Sequence, residues 1–457
     1  MQRLVFTILM ALFSQPVFSQ ESSLFFFKSG DRICFIGNSI TNSGQFYNFV
    51  TLYYATRFPS EKLQFFNCGI GGDVGAGVIK RLDRDILVHK PTWSILMLGM
   101  NDVGRGLYRS REIVPAIEEK KKKALDTYRE NLEIIIRKLL ANNSKIILEK
   151  PTIYDQTVSL SSPNDFANDG LKVCAGIIQE LAVKYKLMTV DYFTIMGRIN
   201  HELQLKDSAA SILNKDRIHP NMTGHFVMAY EFLKTTGAKK YVSKIVMDAG
   251  QKKNNAICDN CTISDLTINR DSVTFKCREN SLPFPLTAGT EKALELVPFT
   301  DDFNWELLQI NGLKRGEYDF YVDDIFTGKY TSNELDKGIN MAVLNSTPQY
   351  KQAARVMELC AAYRNKELLL RTIKGFEHYQ FPDSMKDESA AKQLAYADKK
   401  VKAFTDTAAN NIYVQYKNYL INKPLEEGTL KLVSEIFESI YDANKPKEHV
   451  FKIIRTN

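Results

Sequence analysis

The sequence predicts an α/β domain with a parallel sheet, followed by a small β-sandwich and a helical C-terminal segment. Three observations predict this. Over residues 24–236, short apolar runs alternate with amphipathic stretches, the element order of a parallel sheet covered by helices on both faces. Glycines gather where the apolar runs end, at Gly37, Gly69, Gly71, Gly72 and Gly99, so the freest backbone lies along one edge of that sheet. Near Lys239 the pattern becomes β-rich without intervening helices, and beyond about residue 340 it turns to long helical periodicity.

The strands of the first segment are expected at 33–36, 63–67, 93–98, 145–149 and 187–191. Helices are expected at 45–57, 74–88, 116–140, 171–186 and 222–233. In the β-rich part, 272–277, 294–297 and 317–322 alternate as half-buried strands do, and Asn311-Gly312 and Gly316 mark turns, so an antiparallel sandwich is expected. Helices at 349–379, 390–420 and 427–443 follow. The domain division is then 24–238, 239–335 and 340–457, with no internal repeat or low-complexity tract.

With 457 residues the chain exceeds the usual size of one domain. At 44% hydrophobic and 25% charged residues it has the composition of a folded protein. Arg3, an apolar core over 4–12 and the Val17-Phe18-Ser19 site read as a secretory signal over residues 1–19. No later segment is long and apolar enough to span a bilayer. An exported protein, periplasmic or extracellular, is therefore expected. A formal charge of +7 is modest for this length. The lysine run at 120–123 follows two glutamates at a helix start, which describes a solvated face and not a nucleic-acid surface. Seven cysteines leave at least one unpaired. Cys34 and Cys68 lie in apolar strands as small hydrophobes. Cys258-x-x-Cys261 lacks the second ligand pair of a zinc knuckle, so a local disulfide among Cys258, Cys261 and Cys277 is the expectation, in a chain with no metal site.

Four stretches carry chemistry. In the first, residues 31–41, an apolar run stops at Gly37, and Asn38-Ser39 follows. A serine there is lifted out of the carboxyl end of a strand, where open α/β sheets hold their sites; alone, it reads first as a turn or helix N-cap residue. The second, residues 67–73, runs a strand into Gly69, Gly71 and Gly72, matching neither the dinucleotide nor the Walker phosphate pattern. In the third, Asn101 and Asp102 follow Gly99. The fourth is Asp216-Arg217-Ile218-His219-Pro220. A carboxylate three residues before a histidine can fix its tautomer and stabilise its charged form, as in serine triads. Among the six histidines, His219 is the best candidate base: His89 sits at a helix end, His225 inside the last helix, and His201, His378 and His449 away from strand ends.

Together the four blocks, Gly37-Asn38-Ser39, Gly69-Ile70-Gly71-Gly72-Asp73, Gly99-Met100-Asn101-Asp102 and Asp216 to Pro220, resemble the SGNH (GDSL-like) hydrolase superfamily. The resemblance covers roughly residues 30–236. It implies a flavodoxin-like three-layer fold and a serine esterase needing no cofactor. It assigns Ser39 as nucleophile and His219 as base with Asp216 as its partner. The oxyanion donors it implies are the N–H groups of Ser39 and Gly72 and the Asn101 amide. One departure is visible: Asn38 stands where the family usually has aspartate.

Exported members with extra β-rich domains resemble those that remove acetyl groups from glycans, so an acylated carbohydrate is the expected substrate. Lipid or aryl esters are the competing substrates, and no amphipathic lid favours lipid. Asn38, Asp73, Asp102 and Tyr154 are candidate substrate contacts, and Trp305, Tyr318 and Tyr321 candidate sugar-stacking rings whose alternative is the sandwich core. Two other classes stay open. A non-catalytic glycan-binding protein would bind without hydrolysis, and a glycosidase on the same fold would need a further carboxylate near Ser39, for which Asp73 and Asp102 are the candidates.

Overall fold

The first apolar run forms β1 (Arg32–Gly37), and its side chains split between two cores. Ile33 and Phe35 enter one, Cys34 and Ile36 the other; burial on both faces is why the run is continuous and not alternating. The computed structural model describes residues 26–250, 256–286, 289–404 and 411–456. The expected signal, residues 1–19, lies outside them. After β1 come α1 (Ser39–Asn42), α2 (Gln45–Arg57), β2 (Gln64–Gly69), α3 (Gly75–Arg81), β3 (Trp93–Met97) and α4 (Pro115–Ala141). Then follow β4 (Lys145–Lys150), α5 (Ala167–Tyr185), β5 (Met188–Asp191), α6 (Tyr192–Gln204) and α7 (Met222–Thr235).

The five strands pair in parallel in the order β2-β1-β3-β4-β5, the flavodoxin-like order, whose topological switch point lies between β1 and β3. Helices α3, α4 and α5 pack on one face, and α2, α6 and α7 on the other. The helix expected at 74–88 is built in three pieces: α3, a π turn (Leu82–Ile86) and a 3-10 turn (Leu87–His89). Helix α6 was not expected, although Asp191 caps it by accepting from Thr194 N and its apolar side recurs at Tyr192, Ile195, Met196 and Ile199.

Beyond residue 240 come β6 (Tyr241–Asp248), β7 (Ala256–Asp259), β8 (Cys261–Ile268), β9 (Ser272–Glu279), α8 (Glu291–Leu296) and α9 (Phe299–Phe303). Next are β10 (Trp305–Asn311), β11 (Glu317–Val322), β12 (Ile325–Thr331), α10 (Ser332–Lys337) and β13 (Ile339–Asn340). The last are α11 (Pro348–Gln380), α12 (Asp383–Lys386), α13 (Ala390–Lys402), α14 (Asn411–Asn422), α15 (Glu426–Ala443) and β14 (Glu448–Arg455). Two sheets, β13-β10-β6-β7 and β12-β11-β14-β9-β8, enclose a separate apolar core.

Four expectations change here. The stretch 294–296 lies in a helix, with Val297 its extended C-cap, because Glu-Lys-Ala-Leu-Glu-Leu is rich in helix formers and two alternating apolar positions do not outweigh them. Strands β6 and β10 pair in parallel, so the sandwich is not purely antiparallel. The segment beginning at residue 340 is not all helix: β14 returns to the sandwich and sits between β11 and β9. Cys258, Cys261 and Cys277 are free thiols, like the other four cysteines. Of the proposed stacking rings, Tyr318 is fully buried, its hydroxyl donating to Arg270 O and Lys314 O.

Helix α11 does something particular to the edge strand β2. The outward backbone groups of β2 are met by side chains: Tyr363 hydroxyl donates to Phe65 O (3.1 Å), Asn67 N donates to Glu367 (3.0 Å), and Arg371 Nε donates to Gly69 O (3.0 Å). Four helical residues rise about 6 Å, and two strand residues about 6.6 Å. Positions 363, 367 and 371 therefore keep step with 65, 67 and 69. The helix closes the edge that would otherwise recruit another strand.

Candidate active site

The serine turn is set by close packing. A Cβ at Gly37 would collide with the Thr41 hydroxyl and lie 2.8 Å from Met97 O, so only glycine lets β1 end this close to β3. Asn38 follows, 2% exposed, and its side-chain oxygen caps α1 by accepting from Ile40 N (3.2 Å). That capping role replaces the substrate contact expected of Asn38. It also explains how asparagine serves here, since asparagine caps a helix as well as aspartate.

Ser39 opens α1, and its Oγ lies 2.7 Å from His219 Nε2, across 180 residues of sequence. The other ring nitrogen, Nδ1, is 2.6 Å from Asp216 Oδ2. Asp216 Oδ1 also accepts from the backbone N–H groups of Ile218 (2.9 Å) and His219 (3.0 Å). Partial burial would raise this carboxyl, but those N–H donors and the imidazole outweigh it and hold it below the ordinary aspartate range. The loop is fixed by Arg217, a buried residue at φ 64°. Its guanidinium donates to the carbonyls of Asp155, Val158, Leu160 and Ser162. A left-handed arginine between the carboxylate and the histidine persists because these four bonds over-determine it. His225 is a core residue: burial lowers its pKa to about 3, and it stays neutral.

Gly72 and Asn101 stand at the neighbouring strand ends. Gly72 is at φ 79°, and Asn101 Nδ2 donates to Asp73 O (3.0 Å), tying the β3 loop to the glycine loop. The remaining expected contacts are engaged elsewhere. Asp73, 2% exposed, pairs with Arg81 Nε (2.7 Å). Asp102 accepts from Gly75 N (2.7 Å) and Gly99 N (3.0 Å), bracing both loops. Tyr154 is 3% exposed in the core, its hydroxyl accepting from Asp165 N. These three are scaffold by their bonding, not free substrate contacts.

Sequence reasoning missed the contribution of α11. Tyr379 hydroxyl donates to Gly71 O (3.0 Å), and a Cβ on Gly72 would lie 3.4 Å from that hydroxyl. His378 approaches Asp73 to 3.6 Å. Beneath them Arg371 grips Asp85 with two bonds (2.6 and 2.8 Å), Arg81 takes the same carboxylate (2.6 Å), and Arg81 also reaches Gly37 O. A buried chain thus runs from α11 to the backbone beside Ser39. No local pattern announces it. Among the described residues, no group of three or more His, Cys, Asp or Glu could hold a metal ion.

Comparison with known proteins agrees with this arrangement. Residues 35–226 match the GDSL-like Lipase/Acylhydrolase family. A solved gut microbial diltiazem-metabolizing enzyme is 30% identical, covering 94% of this chain and 98% of its own, with a TM-score of 0.84. The likeness therefore includes the sandwich and the C-terminal helices. An acetylxylan esterase of Geobacillus stearothermophilus is 24% identical over 224 residues, 46% of this chain and 95% of that protein. A solved structure of that esterase covers 47% of this chain and 98% of its own with a TM-score of 0.38, too low to bear on the fold of the whole. A serine, a glycine and an asparagine just beyond the ends of β1, β2 and β3, and a histidine from the loop before α7, on a 2-1-3-4-5 sheet, with these relatives, place the chain in the SGNH (GDSL-like) hydrolase superfamily of ester hydrolases.

Proposed function

We propose that the protein is a serine esterase that removes acetyl groups from a carbohydrate. The observation that carries this reading is the hydrogen-bonded line Ser39–His219–Asp216 at the switch point of the sheet. His219 Nε2 takes the Ser39 proton as Oγ attacks the ester carbonyl, and Asp216 orients the ring and stabilises its charged form. The tetrahedral oxyanion is held by the N–H groups of Ser39 and Gly72 and by the Asn101 amide. Collapse expels the sugar hydroxyl, which receives the proton from His219. Water activated by the same ring then cleaves the acetyl-serine and releases acetate.

Asn101→Ala tests the assignment. One lost oxyanion donor costs about 3–4 kcal/mol of barrier, so kcat should fall by about two to three orders of magnitude with the fold intact. An unchanged kcat would remove Asn101 from the mechanism. The acetylxylan esterase relative supports a sugar ester. The relative with whole-chain similarity acts on diltiazem and supports a second reading, a small aryl or drug-like ester. A panel of acetylated xylo-oligosaccharides, 4-nitrophenyl acetate and diltiazem separates the two by kcat/KM. A glycosidase is less well supported, because Asp73 and Asp102 are both engaged by protein donors. A non-catalytic glycan-binding protein would keep its binding and show no turnover in either wild type or Ser39→Ala. We also propose that the enzyme acts outside the cytoplasm, on the strength of residues 1–19.

A further inference from the structure

Where the glycine loop meets the C-terminal helices lies a cavity of about 250 Å³. Its walls include Asn42, Gly71, Phe376, Tyr379, Gln415 and Asn418. Two of these tie it to the reacting centre. Asn42 is three residues after Ser39 in α1, so the two side chains share a helical face. Gly71 precedes Gly72, and the Tyr379 hydroxyl that holds Gly71 O also abuts Gly72.

The chemistry of the walls is specific. Amides from α1 and α14 can each donate and accept, as a ring of hydroxyl groups requires. Phe376 supplies an aromatic surface and Tyr379, 51% exposed, a phenol. Among the described residues, the one charged group reaching the cavity, Arg371, is already bonded to Asp85 and Gly69 O. No carboxylate or lysine lines the space among the described residues. The volume falls just below the range of about 300–1,000 Å³ usual for drug-sized ligands. A larger crease of about 840 Å³ between α4 and α5 is lined by Arg111, Glu118 and Lys121 and shares no residue with the catalytic loops. A neutral, polyhydroxylated ring suits the smaller cavity; a phosphate or a fatty chain does not.

We propose that this cavity is the subsite for the neutral sugar ring next to the acetyl group. The C-terminal helices, and not the sandwich, then give the enzyme its preference for carbohydrate esters. The inference rests on the acetylesterase reading and adds a location to it.

The test uses the full-length protein and the variants Asn418→Trp and Gln415→Trp, both on the exposed side of α14. The readout is the ratio of kcat/KM on acetylated xylo-oligosaccharide to kcat/KM on 4-nitrophenyl acetate, whose leaving group does not need a sugar site. Filling the cavity should lower that ratio at least about tenfold, mainly through a higher KM, a factor equivalent to about 1.4 kcal/mol. Turnover of the small ester in the same sample reports that the variant is folded. A ratio unchanged in both variants, with the wild type active on the oligosaccharide, would overturn the subsite and leave the acetylesterase standing. A wild type that cleaves 4-nitrophenyl acetate through Ser39 but no acetylated sugar would overturn the acetylesterase reading, and the subsite with it.

Discussion

Two clusters of buried carboxyl groups, both touched by α11, behave in opposite ways. Beneath the catalytic loops, Asp85 is fully enclosed, yet the two bonds from Arg371 and the one from Arg81 hold it far below the ordinary range against the burial that would raise it. In the sandwich, Glu279 and Glu306 are equally enclosed without a basic partner in contact, and burial raises both, Glu306 further because Glu279 lies beside it. Ser243 donates to Glu279, and Gln349 at the start of α11 donates to Glu306 (3.2 Å). Glu306 Oε2 meets no donor among the described residues, and a proton shared with Glu279 would satisfy it. Within α11 the contrast repeats one turn apart: Glu367, bonded to the Tyr47 hydroxyl and Asn67 N but to no arginine, is raised by burial to about 7. Burial raises a carboxyl unless an opposite charge or several hydrogen-bond donors hold its charged form.

The largest effect should come from breaking the arginine cluster. Arg371→Met leaves Asp85 with one buried partner and Gly69 O with none from α11. Loss of one member of a buried pair costs about 3–5 kcal/mol, read as a lower urea midpoint, and esterase activity should fall with it as the glycine loop loosens. A variant with wild-type stability would show that the cluster is not what holds the loop. The next effect concerns pH. A depressed carboxylate such as Asp85 contributes stability above its unfolded pKa and loses it as pH falls. The raised Glu279 and Glu306 act in reverse, their contribution complete below about pH 4.5 and lost as pH rises. Glu149, raised by burial to about 8, adds to the same loss. Glu306→Gln should therefore stabilise the protein at pH 8 and leave it unchanged at pH 4. Denaturant titrations at the two pH values check this, and equal shifts at both would refute the shared proton. The smallest effect is expected at the exposed end of α11. Tyr379→Phe removes one bond to Gly71 O, about 0.5–1.5 kcal/mol, so kcat on 4-nitrophenyl acetate should drop two- to tenfold with only a small fall in the urea midpoint.

Ser39, Gly72 and Asn101 were legible as candidates because each follows an apolar strand that runs into glycine, and His219 because a carboxylate stands three residues before it. It was the resemblance of the four blocks to one family that joined Ser39, Gly72, Asn101 and His219 into one candidate site. The five parallel strands were legible from local pattern too, their apolar runs being bounded by turn residues. Other features were not. Asp73 and Asp102 carried the look of substrate contacts, but which donors a carboxylate meets depends on loops elsewhere in the chain. Strand β14 alternates over His449, Phe451 and Ile453, yet one short alternation after a long helical segment gives no hint of a partner in β9. The capping of β2 by Tyr363, Glu367 and Arg371 joins residues about 300 apart. It rests on a match between helix rise and strand rise, which no window of sequence contains.

The most direct test of the central claim is acetate release from acetylated xylo-oligosaccharide by the wild type and by Ser39→Ala at equal concentration. The account predicts release by the wild type and a loss of at least about a thousandfold in the variant, as for other serine triads. Release that persists in folded Ser39→Ala would contradict it, because the account makes Ser39 Oγ the group that carries the acetyl.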